Sequence, residues 1–544
     1  MVSVGMEFFI RNKFMTPTEH ESAYRKNQVA SPVFGLLFFV ILLVGGAYTF
    51  FHIHQDIGHE PAMASVVPYI MLILALLIAL GFEFVNGFHD TANAVATVIY
   101  SRSLKPHWAV IWSGLWNFVG VMASSGGVAF TVVSLLPIEL VLSVGSNIGF
   151  AMVFALLLSA ILWNLATWYF GIPNSSSHTL IGSIIGVGLM NQILAGNDRV
   201  SGVDWSQAIK VFEGLVFSPI AGFFLASVFM VALRYLVRLP ALYKSPEGDK
   251  PPHWTIRSLL IFTCMGVSFS HGSNDGQKGM GLIMLILIGT VPTAYALNGV
   301  GSYSEKELFV RQVGVVEHIL NRVDQGLVPF SPQLARDNVT DAIQSGKIDA
   351  NTLSSVHVLL KNAQSMILTR DGNVSILQAG GGNFRNDLYL INQILPSLQN
   401  SSSFSGEEKK QIEGLRKLSL KATQFIPRWV KVSVALALAL GTMVGWKRIV
   451  ITVGERIGKS HLTYGQGAVA ETVAMGLIQA ADRFHLPIST THAVTSAVAG
   501  TMVANGSGLQ WSTIKMLAMA WVLTLPAAIT LSGFLFWLLR VIFV

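Results

Sequence analysis

The chain has 544 residues, of which 52% are hydrophobic and only 12% are charged. Soluble globular domains carry about 25% charged residues, so this composition excludes an ordinary soluble enzyme or binding module. The net charge of +7 does not indicate nucleic-acid binding, because the basic residues lie between long apolar runs, where they orient membrane proteins. We therefore predict an all-α membrane protein whose surroundings are the lipid bilayer and which has no nucleic-acid partner.

The first long apolar run extends from about Ser31 to Ile53 and follows a basic head. It is too long for the apolar part of a signal peptide and no small-residue cleavage site follows, so we predict a retained transmembrane helix. Residues 1–63 are assigned to a cytoplasmic segment and this extra helix. The loop expected after the helix is interpreted as solvated rather than metal-binding, although it is rich in possible ligands: His52, His54, Asp56, His59 and Glu60.

An internal repeat organises the rest of the chain. Phe84-Val-Asn-Gly-Phe-His-Asp90 resembles Phe269-Ser-His-Gly-Ser-Asn-Asp275, and each segment lies between apolar stretches. Further along each half, Pro173-Asn-Ser-Ser-Ser-His178 resembles Pro487-Ile-Ser-Thr-Thr-His492, and each precedes a run of small residues. The same order of motifs in both halves predicts a duplicated unit.

The repeat divides the chain into a first half at 64–239, a linker at 240–253 and a second half that begins at 254–297 and resumes at 429–544. Each half is expected to contain about five transmembrane helices with breaks at the motifs. If the basic clusters are all cytoplasmic, the two halves are inverted relative to each other, with the N-terminus inside and the C-terminus outside. These clusters are Arg102 and Lys105; Arg234, Arg238, Lys244 and Lys250; and Lys447, Arg448, Arg456 and Lys459.

The hydrophilic stretch at 298–428 is predicted to be a helical insert on the outer, periplasmic side. Two amphipathic segments, Glu305–Val323 and Glu407–Phe425, open with the capping-box pairs Ser304/Glu307 and Ser405/Glu408. A packed cap over the outer mouth and a solvated insert without a part in transport are both compatible with this pattern.

Two carboxylates lie in apolar surroundings at matching positions, Asp90 and Asp275. An Asp at the centre of a membrane helix costs about 2.5–3.5 kcal/mol on insertion scales, so such a residue usually has a function. Helix capping or pairing with a base would not explain the matched positions, whereas a symmetric site between two repeats predicts them.

The two hydroxyl triplets each follow a proline and precede a helix, so hydroxyl and free N–H groups converge at a positive helix N-terminus. This arrangement favours an anion site. Ordinary N-capping would account for one hydroxyl in each triplet but not for three. The triplets are Ser175, Ser176 and Ser177, and Ser489, Thr490 and Thr491.

Together these motifs resemble the PiT family of inorganic phosphate transporters, whose hallmark is a repeated Gly-Ala-Asn-Asp-x-Ala-Asn motif. The corresponding segments here are Gly87-Phe-His-Asp-Thr-Ala-Asn93 and Gly272-Ser-Asn-Asp-Gly-Gln-Lys278. The resemblance covers nearly all of the chain except the first helix and the insert. It implies a bacterial inner-membrane symporter that holds inorganic phosphate between the two hydroxyl triplets and a coupling cation, Na⁺ or H⁺, near the acidic motifs.

The departures from the family motif favour protons over sodium. Lys278 replaces a motif asparagine, and its ammonium group has no acceptor atom with which to bind sodium. His89 replaces another and can exchange a proton near neutral pH. Asn93 and Asn274 remain and can still frame one sodium site. The predicted ion-coupling residues are His89, Asp90, Asn93, Asn274, Asp275 and Lys278.

Several alternatives stay open at this point. The symporter can be sodium-coupled, or the substrate can be a neutral complex of phosphate with a divalent metal. A divalent-cation carrier and an intramembrane hydrolase are less well supported, because hydroxyl donors suit an oxyanion and no nucleophile elbow is present. We expect no cofactor, and a homo-oligomer is compatible with the sequence. The roles of Glu83, Glu471, His178 and His492 are left undecided between structure and ion or substrate binding.

Overall fold

A computed structural model describes residues 32–57, 66–136, 141–142, 144–195, 203, 205–246, 250–291, 295, 303–323, 330–368, 381–400 and 403–543. These residues form helices and connecting turns, which confirms the all-α prediction. Six of the described helices are long and apolar enough to cross a membrane, or seven if one bent pair counts as a single span. The protein is therefore a multi-pass membrane protein.

The helices of the first half and the extra helix follow in chain order. They are α1 (Pro32–Ile57), α2 (Val67–Tyr100), α3 (Pro106–Ala123), α4 (Gly127–Val133), α5 (Asn147–Tyr169), α6 (Ser176–Ala195) and α7 (Trp205–Leu236). Helices α3 and α4 are the bent pair, with an angle of 79° between them. A short 3₁₀ helix, Pro240–Tyr243, lies in the linker.

The second half begins with α8 (Trp254–Thr290), and the insert follows. The insert contains α9 (Tyr303–Val323), α10 (Pro332–Ser345), α11 (Ala350–Leu368), α12 (Gly381–Asn400) and α13 (Gly406–Thr423). The chain then continues with α14 (Arg428–Thr442), α15 (Lys447–Glu455), α16 (Tyr464–Arg483), α17 (Thr490–Ala504) and α18 (Trp511–Phe543).

The extra helix α1 extends beyond the predicted end of the apolar run. His52 and His54 therefore lie within a helix and not in an outer loop, and His52 stacks on Trp429 of α14 with ring centroids 6.2 Å apart. Helix α1 is also held to α14 by a hydrogen bond of 2.7 Å between the hydroxyls of Thr49 and Ser433. His59 and Glu60 lie outside the described residues. The expected outer loop thus begins later than the sequence pattern predicts.

The acidic motifs lie in continuous helices, and the breaks fall at the hydroxyl triplets instead. Helices α5 and α6 form a hairpin around the turn that carries the first triplet, and α16 and α17 form a hairpin around the second. Both turns are buried against the middle of α2 and α8. Asp90 lies about 15 Å before the end of α2 and Asp275 about 22 Å before the end of α8, at 1.5 Å per residue. Both hairpin tips therefore contact α2 and α8 well away from the C-terminal ends of these helices.

The two halves exchange packing partners. Helix α2 of the first half packs on α14 of the second, and α8 of the second half packs on α3 of the first. A Cβ atom at Gly87 would collide with the main chain of Leu438, and one at Gly272 would collide with the main chain of Asn117. Small residues allow such close contact between membrane helices, where apolar burial alone does not drive association. The inverted orientation of the halves stays a prediction, and the exchange of partners supports it.

The insert has its own hydrophobic core, to which all five of the helices described within it contribute buried side chains. The predicted capping box at α13 is present: Ser405 accepts a hydrogen bond from the backbone N–H of Glu408, and Glu408 accepts one from the backbone N–H of Ser405. Arg336 and Asp387 form a buried ion pair of 2.6 Å that ties α10 to α12. The side chain of Ser304 lies outside the described residues.

Candidate functional site

The two acidic motifs meet where α2 packs directly on α8. Asp90 and Asp275 are almost fully buried, with exposed fractions of 2% and 0%. The hydroxyl oxygen of Ser176 lies 3.1 Å from Oδ2 of Asp90 and 3.3 Å from Oδ2 of Asp275. A single hydroxyl from the first hairpin tip thus connects the carboxylates of both halves.

The first residue of each hydroxyl triplet caps the helix that follows. Ser175 Oγ accepts a hydrogen bond of 3.2 Å from the backbone N–H of His178. Ser489 Oγ accepts an equivalent bond of 3.1 Å from the backbone N–H of His492. Capping therefore occupies one hydroxyl per triplet, and the other two hydroxyls of each triplet have further roles.

The remaining residues of the triplets are buried, and two of them, Ser176 and Thr491, bond the carboxylates. Thr491 donates a hydrogen bond of 2.7 Å to Oδ1 of Asp90 and accepts one of 3.0 Å from the side-chain amide of Asn93. Ser177 donates a hydrogen bond of 2.6 Å to the carbonyl of Ile488, which belongs to the other hairpin tip. Thr490 is buried at the same helix N-terminus. Both hairpin tips therefore present hydroxyl groups to one point.

Lys278 supplies a fixed positive charge at this point. Its side chain is fully buried, and Nζ lies 2.8 Å from Oδ2 of Asp275 and 2.5 Å from Oγ of Ser177. The ammonium group therefore joins the second acidic motif to the first hydroxyl triplet, in the geometry expected of a tethered cation.

His271 is a site residue that the sequence reasoning did not identify. Its Nδ1 lies 2.7 Å from Oδ1 of Asn117, an acceptor, so Nδ1 carries the proton. Its Nε2 lies 3.6 Å from Asp90 and 3.5 Å from Asp275. An unprotonated Nε2 would place a lone pair against two carboxylates, so this nitrogen requires a second proton or a cation. The signal was available, because His271 is part of the repeated segment around Gly272.

Asp90, Asp275 and His271 together form a candidate cation site. Their potential ligand atoms all lie within 4.8 Å of one another, and all three side chains are buried. One nitrogen and two carboxylate oxygens form a donor set that divalent metals accept. No metal ligand was predicted among these residues from the sequence, and the cluster is a candidate site only.

The three other predicted ion-coupling residues have different surroundings. His89 Nδ1 lies 3.4 Å from Asp90 and its Nε2 lies 3.3 Å from the hydroxyl of Thr167. Asn93 bonds Thr491 and, at 3.3 Å, Asp90. Asn274 instead donates to the carbonyl of Leu486 at 3.1 Å and accepts from the backbone N–H of Ile488 at 3.4 Å. Its amide therefore holds the second hairpin tip and does not face the carboxylates.

The two histidines that follow the triplets pack on each other. The rings of His178 and His492 are 4.6 Å apart between centroids, and His492 also lies 4.4 Å from the ring of Trp521. Nδ1 of His178 lies 2.9 Å from the capping hydroxyl of Ser175. The pair thus joins the two hairpins behind the hydroxyl groups.

Two further buried carboxyl groups lie near the site. Glu471 accepts hydrogen bonds from the hydroxyls of Thr97 and Thr263. Glu83 accepts one from the side-chain amide of Asn86 at 3.4 Å. Within the part of the chain that the structure describes, neither glutamate forms a salt bridge. The alternative of a buried pair with a basic residue is therefore not observed.

Comparisons with known proteins identify the family to which the sequence is similar. Residues 86–532 match the model of the phosphate transporter family. The low-affinity inorganic phosphate transporter PitB of Escherichia coli K12 is 40% identical over 483 residues, covering 86% of this chain and 96% of the relative. The low-affinity inorganic phosphate transporter of Buchnera aphidicola subsp. Acyrthosiphon pisum is 40% identical over 502 residues, covering 89% and 98%.

Two further proteins are similar at lower identity. The probable low-affinity inorganic phosphate transporter of Bacillus subtilis is 28% identical, covering 87% of this chain and 99% of the relative. A solved structure described as the sodium-dependent phosphate transporter shares 18% identity and a TM-score of 0.47, covering 87% of this chain and 100% of that chain.

Proposed function

The chain belongs to the phosphate transporter family, and from that membership we propose that it is a secondary active symporter that imports inorganic phosphate together with protons. As a member of this family it is a multi-pass phosphate transporter and not an enzyme, which removes the hydrolase alternative. Its bacterial relatives support a location in the inner membrane. The observation that carries the proposal is the convergence of both hydroxyl-rich hairpin tips on Asp90 and Asp275.

The substrate site is proposed to lie between the N-termini of α6 and α17. A phosphate anion there would accept hydrogen bonds from the hydroxyls of Ser176, Ser177, Thr490 and Thr491 and would face two positive helix ends. Ser175 and Ser489 would hold the tips in shape through their caps. In the described structure Ser176 and Thr491 bond carboxylates, so binding an anion means that these hydroxyls exchange one acceptor for another.

Proton coupling is supported by the groups that surround the carboxylates. Lys278 already neutralises Asp275 at 2.8 Å, so the second half has little need of a sodium ion. His89 and His271 can each carry a proton beside Asp90. Asn274, a residue expected to supply a sodium ligand, bonds backbone groups instead. Sodium coupling is the alternative, with Asn93 and Asp90 as the ligands.

A second candidate concerns the form in which phosphate travels. The cluster of Asp90, Asp275 and His271 favours a divalent metal carried as a neutral complex with phosphate, because its donor atoms lie within 4.8 Å of one another. In that case the metal is part of the substrate. A carrier for a divalent cation alone would not use the hydroxyl groups.

The two halves and the insert are proposed to be arranged as the sequence predicts. The inverted repeats would comprise residues 64–239 and 254–544, with the insert at 298–428 on the outer side. Helix α2 packs on a helix of the second half, and α8 packs on a helix of the first half. This exchange of packing partners supports a pseudo-twofold axis in the membrane plane. Oligomeric state does not enter the proposal, because the site is complete within one chain.

Purified protein in liposomes tests the proposal. Uptake of labelled phosphate is measured first with an inward proton gradient and no sodium, then with a sodium gradient at constant pH and membrane potential, each with and without divalent metal. We expect accumulation under the proton gradient and no response to sodium. Accumulation that requires sodium would overturn proton coupling, and an absence of phosphate uptake in every condition would overturn the transport proposal.

A further inference from the structure

Glu83 is a buried carboxyl group that the proposed site does not use. Its side chain is fully buried in α2, 0% exposed, and lies against Gly279 of α8, where an added Cβ atom would collide with its carboxyl group. Within the described chain it forms no salt bridge. A buried carboxylate without a counter-ion is costly, and the usual response of a protein is to bind a proton there.

The hydrogen-bonding atoms around Glu83 indicate where such a proton lies. Asn86 Nδ2 donates to Oε2 of Glu83 at 3.4 Å, while Oε1 of Glu83 and Oδ1 of Asn86 are buried and have no partner. Both oxygens are hydrogen-bond acceptors, so the two neighbouring side chains together lack one hydrogen-bond donor. A proton on Oε1 of Glu83 supplies that donor.

Glu83 is close enough to the site to sense its charge. Glu83, Asn86 and Asp90 follow one face of α2 at helical spacing. The charged groups that act on Glu83 come from α8 and are Asp275, Lys278 and His271. The other helices that pack on α2 carry titratable side chains as well, and among the described residues none of them forms a salt bridge with Glu83; they include His107, Lys431, Lys447, Glu471, Asp482 and His492.

We propose that Glu83 is the carboxyl group that carries the coupled proton. This assignment rests on the proposed proton symport and names the residue that binds the proton. When the site opens to the outside, the Glu83 carboxylate takes one proton from water on Oε1 and becomes a neutral acid. When the site opens to the inside, the acid returns that proton to water. No bond of phosphate is broken in either step. Neutralising Glu83 removes one negative charge beside an incoming anion, so proton binding and phosphate binding each strengthen the other.

Glu83→Gln is the principal test, because the amide keeps the shape of the acid and can both donate to and accept from Asn86. In liposomes, Glu83→Gln should exchange labelled phosphate across the membrane about as fast as the wild type but lose proton-driven accumulation. Couplings of this kind change affinity by about 5–150-fold, so phosphate binding in the wild type should weaken on raising the pH and Glu83→Gln should remove that dependence. Glu407→Gln, at an exposed position of the insert, serves as the control and should behave as the wild type.

Infrared spectroscopy provides a readout that does not depend on transport. The wild type should show the carbonyl stretch of protonated carboxylic acids, and the part of this band that Glu83 contributes should be lost in Glu83→Gln. In Asn86→Ala, which retains Glu83, the band should shift because the acid has lost its amide partner. This variant also serves if Glu83→Gln does not fold.

Three results would overturn the assignment: proton-driven accumulation by Glu83→Gln at the wild-type level, loss of exchange together with accumulation in the folded variant, or an acid band that neither variant alters. A wild type that transports phosphate with sodium alone would contradict the proposed proton symport. The infrared result would then still decide whether Glu83 holds a proton.

Discussion

Removing the charge of Lys278 tests the idea of a tethered cation. Lys278→Met keeps most of the side-chain volume and deletes the ammonium group, which lies 2.8 Å from Oδ2 of Asp275. At an effective dielectric constant of ~20, two unit charges at that separation attract each other by about 6 kcal/mol. Part of this attraction offsets the desolvation of both groups, so the expected net loss of stability is about 3–5 kcal/mol, the range for a buried pair that loses one partner.

The measurement is a double-mutant cycle on the purified protein, unfolded in detergent with increasing denaturant. Asp275→Asn should recover much of the stability that Lys278→Met loses, because the uncompensated carboxylate is then absent. Lys410→Met provides a matched control, since Lys410 pairs with Glu407 at 3.4 Å on an exposed surface. This variant should change stability by about 0–1 kcal/mol.

The transport readout distinguishes a tethered cation from a purely structural lysine. Lys278→Asn introduces the residue type found at the corresponding position Asn93 of the first half. We expect sodium to stimulate phosphate uptake by this variant, because a sodium ion can then occupy the place of the ammonium group beside Asp275. In the unfolding experiment, two results would refute the electrostatic reasoning. One is a Lys278→Met variant as stable as the wild type, and the other is a double mutant that recovers none of the lost stability.

The remaining predictions concern the hydroxyls, the carboxylates and the insert. Replacing Ser176 and Thr490 together with alanine should abolish phosphate uptake by the folded protein. Thr530→Ala is the control and should not change uptake, because the Thr530 hydroxyl bonds only its own helix in the described structure. Normal phosphate binding by the double variant would contradict the anion site. Asp90→Asn and Asp275→Asn should each lose accumulation in the liposome assay, and a variant that still accumulates phosphate would show that its carboxylate is structural. In the insert, the backbone N–H of Ser405, followed by Arg322, lowers the pKa of Glu408 to about 2. The ionised Glu408 carboxylate therefore stabilises α13 fully above the ordinary carboxyl pKa, and this stabilisation decreases as the pH falls toward about 2. Hydrogen exchange should show this loss in the wild type and not in Glu408→Gln, and equal acid sensitivity of the two would refute it.

Much of the fold could be predicted because helices and caps follow from local sequence. The apolar runs predict the membrane helices, and the Ser405/Glu408 pair predicts the start of α13, where the structure shows the capping box. The end of α1 was placed too early, because His52 and His54 are polar but continue the helix and pack against α14. Polarity marks the end of an apolar run and does not mark the end of a helix.

The site residues show a different limit. Lys278 and Asn274 were chosen from the same motif by their spacing, yet Lys278 reaches Ser177 whereas Asn274 bonds the backbone at Leu486 and Ile488. His271 was missed because its place in the repeated segment does not by itself show that it faces the carboxylates of both halves. Spacing along a helix states which residues share a face, and it does not state what that face contacts.

The sequence by itself determined that this protein is a helical membrane protein with repeated motifs, two carboxylates at matching positions in apolar runs and two hydroxyl-rich segments, and the resemblance of these motifs implied a phosphate transporter. Hydropathy, capping and repeats are properties of neighbouring residues, so they can be read without a structure. Only the tertiary structure decided that these features form one site, since Ser176 and Asp275 are separated by 99 positions and Asn93 and Thr491 by 398. Close contacts between small residues and the need to satisfy buried polar groups select such pairs across the whole chain.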